Sequence, residues 1–147
     1  MDNYHVEAQA IQQALKWHAG QTYPRAENKW PFVVHPILVA LHCYTSDQKV
    51  VALLHDIVED TTVTVDDIRQ EFGDRIACAI DAITRRDGEN YDDYIERVAK
   101  NPTAAEVKVA DLSTNLYFCL AEDAPDFGAS LSNRYKKALE RLLRPYP

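Results

Sequence analysis

Residues 53–61 read Leu-Leu-His-Asp-Ile-Val-Glu-Asp-Thr, which places four ionisable side chains in a run whose other members are mostly apolar. On a helix Asp56, Glu59 and Asp60 lie at positions i, i+3 and i+4, so three carboxylates share one face beside the His55 imidazole. Such a cluster repels itself and resists burial unless a cation compensates its charge. We therefore predict that a divalent metal binds His55 and Asp56, while Glu59 and Asp60, one turn away, handle protons and water. The alternative is a solvated acidic helix end, which the apolar neighbours disfavour.

Composition limits the class of protein. The chain has 147 residues, of which 46% are hydrophobic and 27% are charged, as is typical of one soluble globular domain. We therefore expect residues 1–147 to form a single domain. No apolar run approaches the roughly 20 residues that cross a bilayer, and the N-terminus has no signal-peptide pattern. These absences predict a protein with no membrane partner. The net charge of −7 disfavours bulk nucleic-acid binding.

The cysteines are expected to be small core residues. Cys43, Cys78 and Cys119 are odd in number, widely spaced and set in apolar surroundings. This pattern supports neither a disulfide framework nor a zinc site, and it predicts a protein of the reducing cytoplasm.

The hydrophobic pattern predicts helices along the whole chain. Thr64 and Asn90 are typical N-caps, Gly20 and Gly73 are typical helix stops, and Thr103-Ala-Ala-Glu106 resembles a capping box. Eight helices are predicted, over residues 6–19, 36–44, 48–58, 64–73, 75–84, 91–100, 103–120 and 132–143. The expected fold is a compact all-α bundle of about eight helices.

Two more residues extend the predicted metal site. Asp111 lies in a helix that is apolar over most of its circumference, where a carboxylate costs several kcal/mol unless it is paired or coordinated. Asn115 follows one turn later on the same face, and the alternative is that Asp111 pairs with Lys108 at i−3. A lone histidine such as His35 is more often a core or capping residue, but here it completes a His-His-Asp-Asp set. Mixed nitrogen and oxygen ligands fit Mn²⁺, Fe²⁺ or Zn²⁺.

His35, His55-Asp56 and Asp111, in this order on an all-α chain, resemble the metal ligands of the HD phosphohydrolase superfamily. Within that superfamily, five segments resemble the hydrolase domain of RelA/SpoT homologues, and the length matches the small alarmone hydrolases. The segments are His18-Ala-Gly-Gln21, Pro31-Phe-Val-Val-His-Pro36, Leu53 to Thr61, Phe72-Gly73 and Lys108 to Leu116. In this family a Glu-Asp pair marks the members that are competent hydrolases, and it stands here as Glu59-Asp60.

The resemblance implies a small-molecule nucleotide substrate. The implied reaction is hydrolysis of the 3′-pyrophosphate of a guanosine or adenosine alarmone, with release of pyrophosphate and with one Mn²⁺ per chain. Asn115 and Tyr135 match family positions that contact the nucleoside. Lys16 and His18 match the helix that lines the nucleotide pocket, although an exposed lysine and a helix-terminal histidine would look the same.

The chain also departs from the family. Trp17 stands where a basic residue usually precedes the motif histidine, and the loop from Thr22 to Trp30 lacks the usual glycine. Because this region contributes to base and ribose recognition in relatives, the sequence does not establish a preference for guanine. An adenine alarmone, or another nucleotide with a phosphorylated 3′ or 2′ position, stays an alternative substrate. Two other interpretations are a 5′-nucleotidase or nucleotide triphosphatase of the same superfamily, and a non-catalytic nucleotide-binding module. The intact Glu59-Asp60 pair disfavours the first. The presence of all four presumed ligands and both presumed catalytic acids disfavours the second, and the sequence favours no oligomeric state.

Overall fold

The computed structural model describes residues 3–23, 30–119 and 128–144 of the chain, and most of these residues are helical. In these ranges the helices are α1 (Asn3–Trp17), α2 (Val34–Leu41), α3 (Ser46–Leu54), α4 (Ile57–Asp60), α5 (Val65–Phe72), α6 (Asp74–Ile83), α7 (Tyr91–Ala99), α8 (Pro102–Cys119) and α9 (Gly128–Leu142). The extended pairing found among these residues is an isolated antiparallel bridge between Thr22 and Pro31. The predicted all-α bundle is confirmed.

Local side-chain chemistry fixes several helix ends as predicted. The Thr64 side chain accepts a hydrogen bond from the Asp67 backbone N–H, and the Asp67 carboxylate accepts one from the Thr64 backbone N–H. Asn90 caps α7 by accepting from the first turn of that helix. Gly73 ends α5 with a φ of 85°, a left-handed conformation that favours glycine.

The predicted capping box at Thr103 is wrong, because α8 begins one residue earlier, at Pro102. Asn101 provides the cap, and its Oδ1 accepts a hydrogen bond from the Ala104 N–H at 3.0 Å. Proline at the first helical position loses no intrahelical hydrogen bond, so Asn-Pro starts a helix here as well as ending the preceding one.

The predicted continuous helix over residues 48–58 is interrupted. α3 ends at Leu54 and α4 starts at Ile57, so that His55 and Asp56 lie between two helices. The Asp60 N–H still donates to the Asp56 carbonyl at 2.9 Å, so Glu59 and Asp60 follow Asp56 by one turn, as predicted. The break allows two adjacent side chains, His55 and Asp56, to face the same site.

The core surrounds α3 and α8. α3 packs against α1, α2, α6 and α8, and α8 also packs against α2, α6, α7 and α9. Leu54, Ile57 and Leu112 are fully buried, and each such side chain contributes about 1.5–3 kcal/mol through burial. His55 and Asp111 are therefore attached to the most enclosed elements of the fold, which hold their side chains in fixed positions.

Cys43 is buried, as predicted, but Cys78 is exposed on α6, because it falls on the solvent side of that amphipathic helix. The Cys119 side chain lies outside the described residues. None of the helices described is both long and apolar enough to span a bilayer.

Candidate metal centre

Three elements bring His35, His55 and Asp111 together. His35 is the second residue of α2, His55 follows α3, and Asp111 lies within α8. Each offers one ligand atom, and these atoms all lie within 4.8 Å of one another. The three residues are only 3–4% exposed, so the cluster is shielded from bulk water.

Asp56 reaches the same two imidazoles. Its Oδ2 lies 3.2 Å from His55 Nε2 and 3.8 Å from His35 Nε2. Asp111 Oδ1 lies 3.0 Å from His35 Nε2 and 3.5 Å from His55 Nε2. Atoms that bind one ion at about 2.1 Å lie roughly 3–3.5 Å from each other. The structure thus brings His35, His55 and Asp111 to spacings close to those of a coordination sphere and places Asp56 beside both imidazoles.

The hydrogen bonding of His55 fits a metal ligand. Its Nδ1 lies 2.6 Å from the Ala52 carbonyl oxygen, so Nδ1 carries the proton and donates it. The other ring nitrogen, Nε2, is buried and has no hydrogen-bond partner among the described residues. A backbone carbonyl that orients one nitrogen and leaves the other for a cation is the usual arrangement of a metal-binding histidine. With carboxylate oxygens beside it, this donor set suits a divalent cation.

The carboxylate of Asp111 divides its contacts between its two oxygens. Oδ2 accepts a hydrogen bond from Lys108 Nζ at 2.7 Å, while Oδ1 faces the imidazoles and accepts from Asn115 Nδ2 at 2.9 Å. Burial opposes ionisation, but Lys108 and the two histidines outweigh it and hold the pKa of Asp111 well below its usual range. The pairing with Lys108 therefore exists beside the His35–His55–Asp111 cluster and keeps Asp111 ionised.

The charges around His55 favour a cation. Burial lowers the pKa of His55, but the carboxylates of Asp56 and Asp111 outweigh this effect and raise it to about 9. The carboxylates that retain a proton on the imidazole also attract a metal ion, and metal and proton compete for the ring nitrogen.

Glu59 and Asp60 lie at the edge of this cluster. Their side chains reach solvent on one side, but the protein packed around them on the others raises the pKa of both carboxyl groups. Glu59 Oε1 accepts a hydrogen bond from the Arg85 backbone N–H at 2.5 Å. The Asp60 carbonyl accepts from Gln21 Nε2 at 3.3 Å, which connects α4 to the segment after α1.

Two of the predicted nucleoside contacts lie beside the cluster. Asn115 and Tyr135 line a cavity of about 170 Å³ together with His55, Asp56 and Glu59. Tyr135 comes from α9, so this cavity extends from His55 and Asp56 to the last helix.

His18 and Lys16, the predicted nucleotide contacts from the first helix, differ in their burial. His18 is buried just after α1, with Nδ1 2.8 Å from Gln21 Oε1 and its ring 4.7 Å from that of Phe32. Its Nε2 is buried and has no hydrogen-bond partner among the described residues. Lys16 is exposed, and the structure brings its side chain into no ion pair with the parts of the chain described here.

Sequence reasoning missed Tyr23. Its ring stacks on that of His35, with centroids 5.3 Å apart and planes 12° apart, and its hydroxyl donates to Asn115 Oδ1 at 3.2 Å. Since Asn115 Nδ2 binds Asp111, this chain of contacts runs from the histidine of α2 to the carboxylate of α8. The available signal was an aromatic residue two positions after Gln21, where the loop departs from the family.

Comparisons with known proteins agree with this geometry, although no family model matches the chain. It is 29% identical over 132 residues to a guanosine-3′,5′-bis(diphosphate) 3′-pyrophosphohydrolase of Aquifex aeolicus, covering 79% of this chain and 18% of that protein. It is 34% identical over 99 residues to the bifunctional (p)ppGpp synthase/hydrolase SpoT of Escherichia coli K12, covering 63% and 13%.

A solved structure described as a metazoan orthologue of SpoT that hydrolyses ppGpp shares the fold. The TM-score is 0.70 at 21% identity, over 92% of this chain and 94% of that one. The chain spans less than a fifth of the length of the two relatives above. The matches confirm the resemblance that the motifs indicated. This chain is an HD-type, RelA/SpoT hydrolase-like domain.

Proposed function

We propose that this domain hydrolyses the 3′-pyrophosphate of a guanosine or adenosine nucleotide, releasing pyrophosphate and leaving the 5′-phosphates intact. The observation that carries the proposal is the buried cluster of His35, His55 and Asp111, which adjoins a cavity lined by Asp56 and Glu59. The relatives named for this reaction support it. We further propose that residues 1–147 act as one hydrolase domain and that they do so in the cytoplasm.

We propose that His35, His55, Asp56 and Asp111 hold one divalent ion per chain and that this ion is Mn²⁺, which accepts mixed imidazole and carboxylate ligands. When bound, such an ion supplies Lewis-acid chemistry, since it polarises a phosphoryl oxygen and makes water more acidic. Neighbouring residues orient the ligands and keep them in the ionisation state that binds a cation. The Ala52 carbonyl orients the His55 ring, and Lys108 keeps Asp111 ionised.

Glu59 and Asp60 are the proposed catalytic acids. In the reaction, water forms a bond to the phosphorus next to the ribose, the bond from that phosphorus to the ribose 3′-oxygen breaks, and this oxygen gains a proton. A carboxylate one turn beyond Asp56 is placed to orient the water and to take its proton. The Arg85 N–H fixes one oxygen of Glu59, which leaves the other oxygen for this task.

The nucleoside is proposed to contact Asn115 and Tyr135, which share the cavity with the cluster. His18, whose buried Nε2 has no hydrogen-bond partner among the described residues, is proposed to line the same nucleotide pocket. Lys16, exposed near the end of α1, stays a predicted contact of the nucleotide.

Product analysis tests this function. Purified protein with Mn²⁺ is incubated in parallel with the 5′-diphosphate 3′-diphosphates of guanosine and adenosine, and products are resolved against standards by anion exchange. We expect free pyrophosphate and the nucleoside 5′-diphosphate from at least one of them. Release of orthophosphate from the 5′ end, or activity only on ordinary mononucleotides, would instead identify a nucleotidase.

A further inference from the structure

Two arginine side chains lie against one aromatic ring in the cavity next to His55 and Asp56. Arg134 of α9 has its Cζ 4.5 Å from the centroid of the Tyr91 ring, and Arg85, from the turn after α6, has its Cζ at 5.5 Å. All three side chains line the cavity that also contains His55 and Glu59. Stacking on an aromatic face orients a guanidinium while leaving its N–H groups available to a ligand.

The charges of these two arginines are not compensated by carboxylates of the described residues. Lys108, a third cation in the cavity, is already paired with Asp111 at 2.7 Å. The Arg85 guanidinium donates to the backbone carbonyl of Glu89, at 2.8 and 3.3 Å, which neutralises no charge. Five other arginines do pair with carboxylates, namely Arg69, Arg75, Arg86, Arg97 and Arg141.

We propose that Arg85 and Arg134 form an anion subsite that binds the terminal phosphate of the 3′-pyrophosphate, and that Tyr91 positions both guanidiniums. The inference rests on the proposed function. A phosphate is the anion that matches two guanidiniums, because each can donate paired hydrogen bonds to its oxygens.

The subsite explains how one substrate contacts both the His55–Asp56 side and the arginine side of the cavity. A pyrophosphate has two phosphorus centres, so the one next to the ribose reacts at the carboxylate–imidazole cluster while the terminal one lies at the arginines. The Arg85 backbone N–H also donates to Glu59 Oε1. The same residue thus fixes the proposed catalytic carboxylate and binds the group that carries the reacting phosphorus.

Binding of inorganic pyrophosphate to the metal-loaded protein tests the subsite directly. Arg85→Gln and Arg134→Gln should each weaken this binding on the order of 10-fold or more, because each removes charge-assisted hydrogen bonds. Both side chains are exposed, so the variants should fold, and the Arg85 backbone contact is retained. Arg75→Gln removes the same charge from an arginine paired with Asp47 and should bind as the wild type does. Wild-type affinity in both cavity variants, with metal content unchanged, would overturn the proposal.

Tyr91 is tested by two substitutions. Tyr91→Phe removes a hydroxyl that makes no hydrogen bond within the described residues, and it should keep the affinity for pyrophosphate. Tyr91→Leu removes the ring and should weaken binding as the arginine variants do, with normal metal content. Wild-type pyrophosphate affinity in the leucine variant would overturn the positioning role.

Kinetics identify which phosphate is bound. Two substrates are compared, guanosine 3′-diphosphates that carry one and two phosphates at the 5′ position. The Arg134→Gln substitution should lower kcat/KM by the same factor for both. A loss confined to the substrate with two 5′-phosphates would assign the subsite to the 5′ end and overturn the proposal. Because binding of inorganic pyrophosphate requires no turnover, the subsite and the proposed hydrolysis can fail independently.

Discussion

The ion pair between Glu89 and Arg97 holds the turn that carries Arg85. Arg97 Nε and Nη2 each lie 2.8 Å from a different carboxylate oxygen of Glu89. The same guanidinium donates to three backbone carbonyls at the end of α6. Glu89→Gln keeps the size of the side chain but removes its charge, so it isolates the contribution of the pair to stability.

The pKa of Glu89 sets an upper bound on that contribution. Hydrogen bonds from Arg97 lower the pKa of Glu89 from 4.5 to about 2. Since one pKa unit corresponds to about 1.4 kcal/mol, the bound is about 3.4 kcal/mol. The side chains of Arg97 and Glu89 are 19% and 15% exposed, and solvent screening reduces the value to about 1–2 kcal/mol. Glu89→Gln should lower the free energy of unfolding at pH 7 by this amount.

The pH dependence has a definite sign. Because the pKa of Glu89 is lower in the folded state, the stabilisation is complete above pH 4.5 and is lost as the pH falls through about 2. At pH 3 less than half of it should remain, so the difference between wild type and Glu89→Gln shrinks from pH 7 to pH 3.

Urea denaturation followed by circular dichroism measures this difference at both pH values. The matched control is Glu96→Gln, since Glu96 pairs with Arg141 but is 50% exposed and should contribute less than about 1 kcal/mol. A loss below about 0.5 kcal/mol for Glu89→Gln at pH 7, or an equal loss at pH 3, would refute the reasoning.

Three further predictions concern the site. Glu59→Gln and Asp60→Asn should keep one metal ion per chain while losing on the order of 10²–10⁴ in turnover; loss of metal would make these residues ligands. Tyr23→Phe removes the hydroxyl contact to Asn115, which contributes about 1 kcal/mol. Tyr23→Leu also removes the ring that stacks on His35, and this variant should bind metal more weakly in a chelator competition. Equal metal affinity in the leucine variant would contradict this. Asn115→Ala and Tyr135→Ala should lower kcat/KM by a factor that corresponds to a loss of about 1–3 kcal/mol of transition-state stabilisation, while the metal stoichiometry stays the same. Unchanged steady-state kinetics would exclude both residues from the pocket.

Features that depend on local chemistry were predictable from the sequence. Thr64 and Asn90 were recognised as caps because a side-chain oxygen satisfies the N–H groups of the residues just after it. The candidate cluster was recognised because Asp111, His55 and Asp56 conflict with the apolar pattern around them, and such a conflict predicts a compensating charge. The structure brings these side chains together with His35.

Features that depend on tertiary packing were not predictable. The apolar pattern of residues 48–58 fits an unbroken helix, so nothing in it predicts the interruption at His55-Asp56. The contacts of Tyr23 and Arg134 depend on where a loop and α9 meet the rest of the fold. For Asp111 the sequence offered a metal or Lys108 as alternatives. The carboxylate has two oxygens, and here it turns one toward Lys108 and the other toward the imidazoles.

Metal stoichiometry tests the central claim most directly. Protein dialysed against Mn²⁺ is analysed by elemental mass spectrometry, with turnover measured on the same samples before and after exhaustive chelation. The wild type should hold one ion per chain and lose turnover on chelation. Asp56→Asn, at a position 21% exposed, and Asp111→Asn should both hold far less than one. Full activity after chelation, or one ion per chain in both variants, would contradict the account.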